Sequence, residues 1–138
     1  MERRTIYITQ YDMKRLRELL IEEKIKNYGR QDHLKKLETE LNRSIVVKPE
    51  EIPSTVITMN SKVALIDLET KEEMVYVLVF PQDANISENK ISVLAPIGTA
   101  MLGYSLGDII EWKIPAGVTR LQVKSILYQP EAEGHYQL

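Results

Sequence analysis

The sequence predicts an α+β protein, a short N-terminal antiparallel helical hairpin followed by an antiparallel β-sheet domain with one short helix. Three observations carry this. Apolar residues recur at helical spacing only in the first 48 positions. The stretch Lys48-Pro49-Glu50-Glu51-Ile52-Pro53 then breaks that pattern, because proline has no amide donor and disfavours a helical predecessor. Beyond it, apolar residues gather in short runs rich in Val, Ile, Tyr and Phe, of strand length.

The elements follow in order. From Asp12 to Lys26, Met13, Leu16, Leu19 and Leu20 mark one buried helical stripe, and Thr9 with Asp12 three residues on forms a variant capping box. A second stripe runs Leu34, Leu37, Leu41 and Ile45. Between them lies Asn27-Tyr28-Gly29-Arg30-Gln31-Asp32, where Gly29 can end one helix and Asp32 can cap the next. Gly29, Arg30 and Asp32 therefore form the tip of a short coiled-coil hairpin. Residues 1–48 make this first part and 49–138 the second. Strands are expected at Val56 to Leu65, Glu73 to Phe80, Ile91 to Ala95, Ile109 to Ile114 and Val118 to Tyr128, the last two joined by Pro115-Ala116-Gly117. Pro96 to Gly103 reads as the one short helix, with proline in its first turn and glycine near its end. The placement of Thr5 to Thr9 is left open.

Size and charge narrow the function. A chain of 138 residues and 15.9 kDa holds one ordinary domain with a small appendage. Residues 1–53 are formally +2 and residues 54–138 formally −4, matching the overall −2. Near-neutrality with a pI of about 5.8 argues against a duplex-binding protein, whose affinity rests on neutralising phosphates. The basic cluster Lys14, Arg15 and Arg17 reads as a solvated helix face. Without cysteine there are no disulfides, thiolate metal sites or cysteine nucleophiles. The first residues lack the apolar block of a signal peptide, and the longest apolar run, Met74 to Phe80, is far short of the roughly 20 residues that span a bilayer. A cytoplasmic protein is expected, with no membrane partner.

Little in the sequence offers catalysis. His33 and His135 have no evident nucleophile and orienting carboxylate beside them. Glu131, Glu133 and His135 alternate and would share a face on an extended segment, yet near a terminus they read as a flexible acidic tail. Gly98, Gly103 and Gly107 are too widely spaced for a dinucleotide loop, and no phosphate loop is present. No catalytic residue, metal ligand or cofactor is expected.

Residues 91–128 are more specific: Ile91-Ser92-Val93-Leu94-Ala95-Pro96-Ile97-Gly98, then Gly103, Gly107-Asp108-Ile109-Ile110 and Pro115-Ala116-Gly117-Val118. This order of elements resembles the C-terminal domain of the bacterial transcript cleavage factors GreA and GreB, whose fold is similar to that of FK506-binding proteins. Pro49-Glu50-Glu51-Ile52-Pro53 leading to Thr58-Met59-Asn60-Ser61-Lys62-Val63, and the tail Tyr128-Gln129-Pro130-Glu131-Ala132 with Gly134, Tyr136 and Leu138, are similar to the Rnk branch of that family. Two departures from Gre factors point the same way. Asn60 stands where they usually have glycine, and a short hairpin replaces their long coiled coil.

The resemblance implies binding to RNA polymerase at the rim of its secondary channel, in competition with Gre-type factors, with no enzyme activity and no sequence-specific nucleic-acid contact. It implies that the corner Leu94, Ala95, Pro96 and Ile97 docks on the polymerase. The hairpin tip has Asp32 without a neighbouring carboxylate, so cleavage stimulation is not expected. Two other functions stand beside this one. The fold is shared with prolyl isomerases, and Tyr76, Phe80, Trp112 and Tyr128 could line an apolar pocket, although fold analogy is a weak warrant. The branch is also associated with regulation of nucleoside diphosphate kinase.

Overall fold

A computed structural model describes residues 5–26, 32–114, 117–136 and 138, with the backbone alone for 32, 33 and 112–114. The first part is built from β1 (Tyr7–Thr9), α1 (Gln10–Lys26), α2 (Asp32–Arg43) and β2 (Ile45–Val47). Lys24 meets Glu38 at 2.6 Å and Arg17 donates to Asn42 at 2.9 Å, so the two helices run antiparallel. Leu16 and Leu20 of α1 and Leu34, Leu37 and Leu41 of α2 are buried, with Met13 and Leu19 packed half-buried beside them. Each fully buried leucine contributes about 1.5–3 kcal/mol relative to exposure. The expected helix stop at Gly29 lies outside the described residues, as does Arg30; Asp32 is the first residue of α2.

The second stripe does not extend to Ile45. The Ser44 amide and hydroxyl both donate to the Leu41 carbonyl, at 3.3 and 2.7 Å, which closes the last turn of α2. Ile45 then enters β2, about half exposed, and pairs in parallel with β1 in the register Tyr7 to Ile45. Of the segment Thr5 to Thr9, which the sequence left unplaced, Tyr7 to Thr9 form this strand, and Ile6 just before it and Ile8 within it are buried in the core.

The second part holds β3 (Lys62–Asp67), β4 (Glu73–Val79), β5 (Lys90–Ser92), α3 (Pro96–Met101), β6 (Ile109–Ile114) and β7 (Gly117–Tyr128). They form a five-stranded sheet in the order β5-β4-β3-β7-β6. All neighbours are antiparallel except β4 and β5, which run parallel. An all-antiparallel sheet is therefore a correction: the link between β4 and β5 turns through two short 3-10 helices, 81–83 and 86–88, and brings the chain back in the same direction.

The first strand of this sheet is shorter than expected. Residues 58–61 instead form a turn in which the Ser61 amide donates to the Thr58 carbonyl at 3.1 Å, and β3 starts at Lys62. Asn60 adopts φ +66°, a left-handed conformation that Asn tolerates better than most residues. Side chains from both parts share one core cluster, Ile6, Leu16 and Leu37 with Ile57, Met59, Leu65 and Met101 among them. No helix among the described residues is long and apolar enough to cross a membrane.

Candidate functional site: a rigid corner and a buried polar joint

The corner between β5 and α3 is held by its own backbone. Ser92 Oγ accepts the Leu94 amide at 3.0 Å and the Ser92 carbonyl accepts the Ala95 amide at 3.0 Å. Ala95 sits at φ −70°, ψ 148°, as expected before a proline, and Pro96 starts α3 where a missing amide costs nothing. Thr99 Oγ1 then donates back to the Val93 carbonyl at 2.6 Å, tying the helix to the strand end. A Cβ on Gly98 would lie 2.1 Å from the Ser92 carbonyl oxygen, so only glycine lets the helix approach this closely.

The four corner residues named from sequence are thus contiguous but not equivalent. Pro96 is exposed; Leu94 and Ala95 are half-buried against the core; Ile97 is buried at 8% exposure and anchors the corner from within. The outward surface is formed by Pro96 with the exposed parts of Leu94 and Ala95. Of the hairpin-tip residues, Gly29 and Arg30 lie outside the described residues, and only the backbone of Asp32 is described.

The sequence missed a second cluster, where α1 meets the rest of the chain. Thr9 Oγ1 accepts the Asp12 amide at 3.0 Å, one half of the expected capping box. The Asp12 carboxylate does not complete the box. It is 1% exposed, and it accepts the Met59 amide at 3.1 Å and pairs with Arg15 at 2.6 Å. Arg15 lies over the rings of Tyr11 and Phe80, 4.1 and 4.6 Å from their centres, and donates to the main-chain oxygen of Leu138 at 2.7 Å. Arg15 is therefore not part of a solvated basic face.

Glu131 completes the cluster from the tail. It is buried and accepts the Thr58 hydroxyl at 2.7 Å, while Thr58 and Ser61 hydroxyls lie 2.9 Å apart and Ser61 Oγ accepts the Thr58 amide at 2.9 Å. Since each hydroxyl has one proton, the chain of donors runs Ser61 to Thr58 to Glu131. Burial pushes Asp12 from the ordinary 3.8 up to about 6; Arg15 opposes the rise and the charge of Glu131 adds to it. One sequence signal was available: Asp12 is in phase with Leu16 and Leu20, on the buried stripe.

The tail is not the free acidic segment the sequence suggested. Glu131 to Glu133 form a 3-10 turn, so Glu131 points inward while Glu133 and His135 are exposed and do not share its face. His135 Nδ1 lies 2.6 Å from the Tyr128 hydroxyl. Among the described residues no three His, Cys, Asp or Glu side chains are grouped to hold a metal. The aromatic residues considered for an isomerase pocket face different surroundings: Phe80 is buried beneath Arg15, Tyr76 packs half-buried on the core, and Tyr128 is bound to His135. The side chain of Trp112 lies outside the described residues.

Two family models match the chain. Residues 52–128 match the family model of the transcription elongation factor GreA/GreB C-terminal domain, and residues 4–47 match the Rnk N-terminus. The regulator of nucleoside diphosphate kinase of Escherichia coli K12 is 41% identical over 139 residues, spanning both chains in full. The transcription elongation factor GreA of Alkaliphilus oremlandii is 36% identical over 96 residues, 70% of this chain and 60% of that protein. A solved GreA/GreB structure from Nitrosomonas europaea superposes with a TM-score of 0.72 at 45% identity, over 91% of this chain and all of that one.

Proposed function

The chain belongs to the GreA/GreB transcription elongation factor family, in its Rnk branch, and from that premise we propose a non-enzymatic regulator that binds RNA polymerase near the rim of its secondary channel. There it competes with Gre-type factors without stimulating transcript cleavage itself. Residues 1–48 act as the hairpin and 49–138 as the docking part, and the protein works in the cytoplasm, where polymerase is.

One observation carries the reading: Pro96 stands exposed on a corner whose backbone is fixed by Ser92, Thr99 and the close approach at Gly98. A docking knob that is ordered before binding loses little entropy on association. Leu94, Ala95 and Pro96 form the contact, and Ile97 holds it from inside.

The hairpin supports the second half of the reading. Helices of 17 and 12 residues extend about 25 and 18 Å at 1.5 Å per residue, a short reach into a channel. Residues 27–32 contain one carboxylate, Asp32, whereas holding a second catalytic magnesium for RNA hydrolysis calls for paired carboxylates. The name of the E. coli relative ties that protein to nucleoside diphosphate kinase; in this reading such a link runs through transcription.

Pull-down of core polymerase, followed by competition against a Gre factor in a stalled-complex cleavage assay, tests the proposal. Capture of polymerase and loss of Gre-stimulated cleavage are expected, with both weakened by Leu94→Asp or Pro96→Ala. Absence of binding at micromolar protein would overturn the docking reading, and strong cleavage by the protein alone would overturn the inert hairpin.

A further inference from the structure

The polar joint between α1 and the rest of the chain stands apart from the docking corner and has no part in the function proposed above. Its members come from four places: Asp12 and Arg15 from α1, Met59 and Thr58 from the turn before β3, Phe80 from the end of β4, and Glu131 with Leu138 from the tail. We infer that Asp12, Arg15 and Glu131 form a proton-coupled joint that fixes the direction of the hairpin against the rest of the chain and closes more tightly when Asp12 carries a proton.

Swinging α1 away breaks the bond from the Met59 amide to Asp12 Oδ2 and returns a carboxylate that is 1% exposed to water. An ionised carboxylate gains much from that transfer and a protonated one little, so closure and proton binding favour each other. The charged groups bearing on Asp12 are Arg15, on its own helix, and Glu131, on the tail. Arg15 stabilises the ionised form at 2.6 Å, but it is shared with the main-chain oxygen of Leu138 and its Nε is buried with no partner among the described residues. Glu131, itself buried, repels the ionised form. The Met59 amide and the Thr9 hydroxyl complete the surroundings without charge.

The sign follows. A group whose proton affinity is higher in the closed form strengthens closure below its open-form value, and that contribution is lost as pH rises through its closed-form value. With Asp12 near 3.8 when open and about 6 when closed, the ratio of closed to open joints falls on the order of 100-fold between pH 4 and pH 7 and then levels.

Amide exchange at Met59 reads the joint directly, because Asp12 is the acceptor of that amide. Measured in the full chain and corrected for intrinsic rates, its protection is expected to fall on the order of 100-fold from pH 4 to pH 7. It should remain below that of the amides in the ladder between β3 and β7 throughout. Asp12→Asn should abolish the fall. Glu131→Gln should keep it with a lower midpoint, because a repelling charge is gone, and this variant serves where Asp12→Asn does not fold. Constant protection in the wild type, an unchanged fall in Asp12→Asn, or an unmoved midpoint in Glu131→Gln would overturn the inference. So would protection at Met59 equal to that of the sheet at every pH, which would mean that the joint opens only when the whole chain unfolds.

Discussion

Ile6 occupies the space that a side chain on Gly103 would need: a Cβ built there lies 2.7 Å from Ile6 Cβ. Gly103 follows α3 at φ +79° and donates its amide to the Ile57 carbonyl at 3.0 Å, so the chain before β1 is keyed into the turn that closes the second part. Gly103→Ala would carry a left-handed backbone cost of about 1–2 kcal/mol and an overpacking cost of about 1–3 kcal/mol. A loss of about 2–5 kcal/mol in urea unfolding is expected. Gly107→Ala, at φ +88° but with open space around it, should lose only the backbone part.

The corner offers a sharper contrast. At Gly98 a methyl group would meet the backbone of Ser92 rather than a movable side chain, so Gly98→Ala must displace the strand end or the helix. Pro96→Ala, at an exposed first-turn position, keeps the corner and costs about 0.4–1 kcal/mol through added freedom in the unfolded chain. Thermal unfolding should show a large loss for Gly98→Ala and a small one for Pro96→Ala, while both weaken polymerase capture. If Pro96→Ala binds like wild type, the proline does not form the contact.

What the sequence revealed and concealed follows from the range of the interactions. Periodicity is local, so the stripes at Leu16 and Leu20 and at Leu34, Leu37 and Leu41 were legible, as were β6 and the helix start at Pro96. The parallel pairing of β1 with β2 joins residues far apart in sequence and leaves no local pattern. The buried joint was hidden because Asp12, Arg15 and Glu131 are residue types that ordinarily face water; only their partners 47 or more residues away in Asp12 and Met59, or 73 in Thr58 and Glu131, bring them inside. The corner was legible as a motif, but which of its residues faces outward depended on how α3 packs.

The hydroxyl chain can be tested alone. Thr58→Val keeps the shape of the side chain and removes the donor to Glu131, leaving a buried carboxylate short of a hydrogen bond. Such a loss costs about 1–3 kcal/mol, more when the acceptor is charged. Urea unfolding at pH 7 should show the loss, and it should shrink when Glu131→Gln is present, because the charge that needed the donor has been removed. Equal losses in both backgrounds would mean that the two side chains act independently.

Asp12 should also leave a signature in global stability. Its folded value of about 6 lies above the ordinary 3.8, so its contribution is fully present below about pH 4, declines through pH 6, and is constant above. The size is about 3 kcal/mol by the usual conversion of proton affinity to free energy. Most carboxylates paired in a folded protein act in the opposite direction, raising stability over the same range. The wild-type profile alone therefore mixes both signs, whereas the difference between wild type and Asp12→Asn isolates the buried group. Plotted against pH, that difference should fall between pH 4 and 6 and then flatten. A difference that rises across this window would mean that Arg15 outweighs burial at the joint, and that the ionised carboxylate is the form the fold prefers.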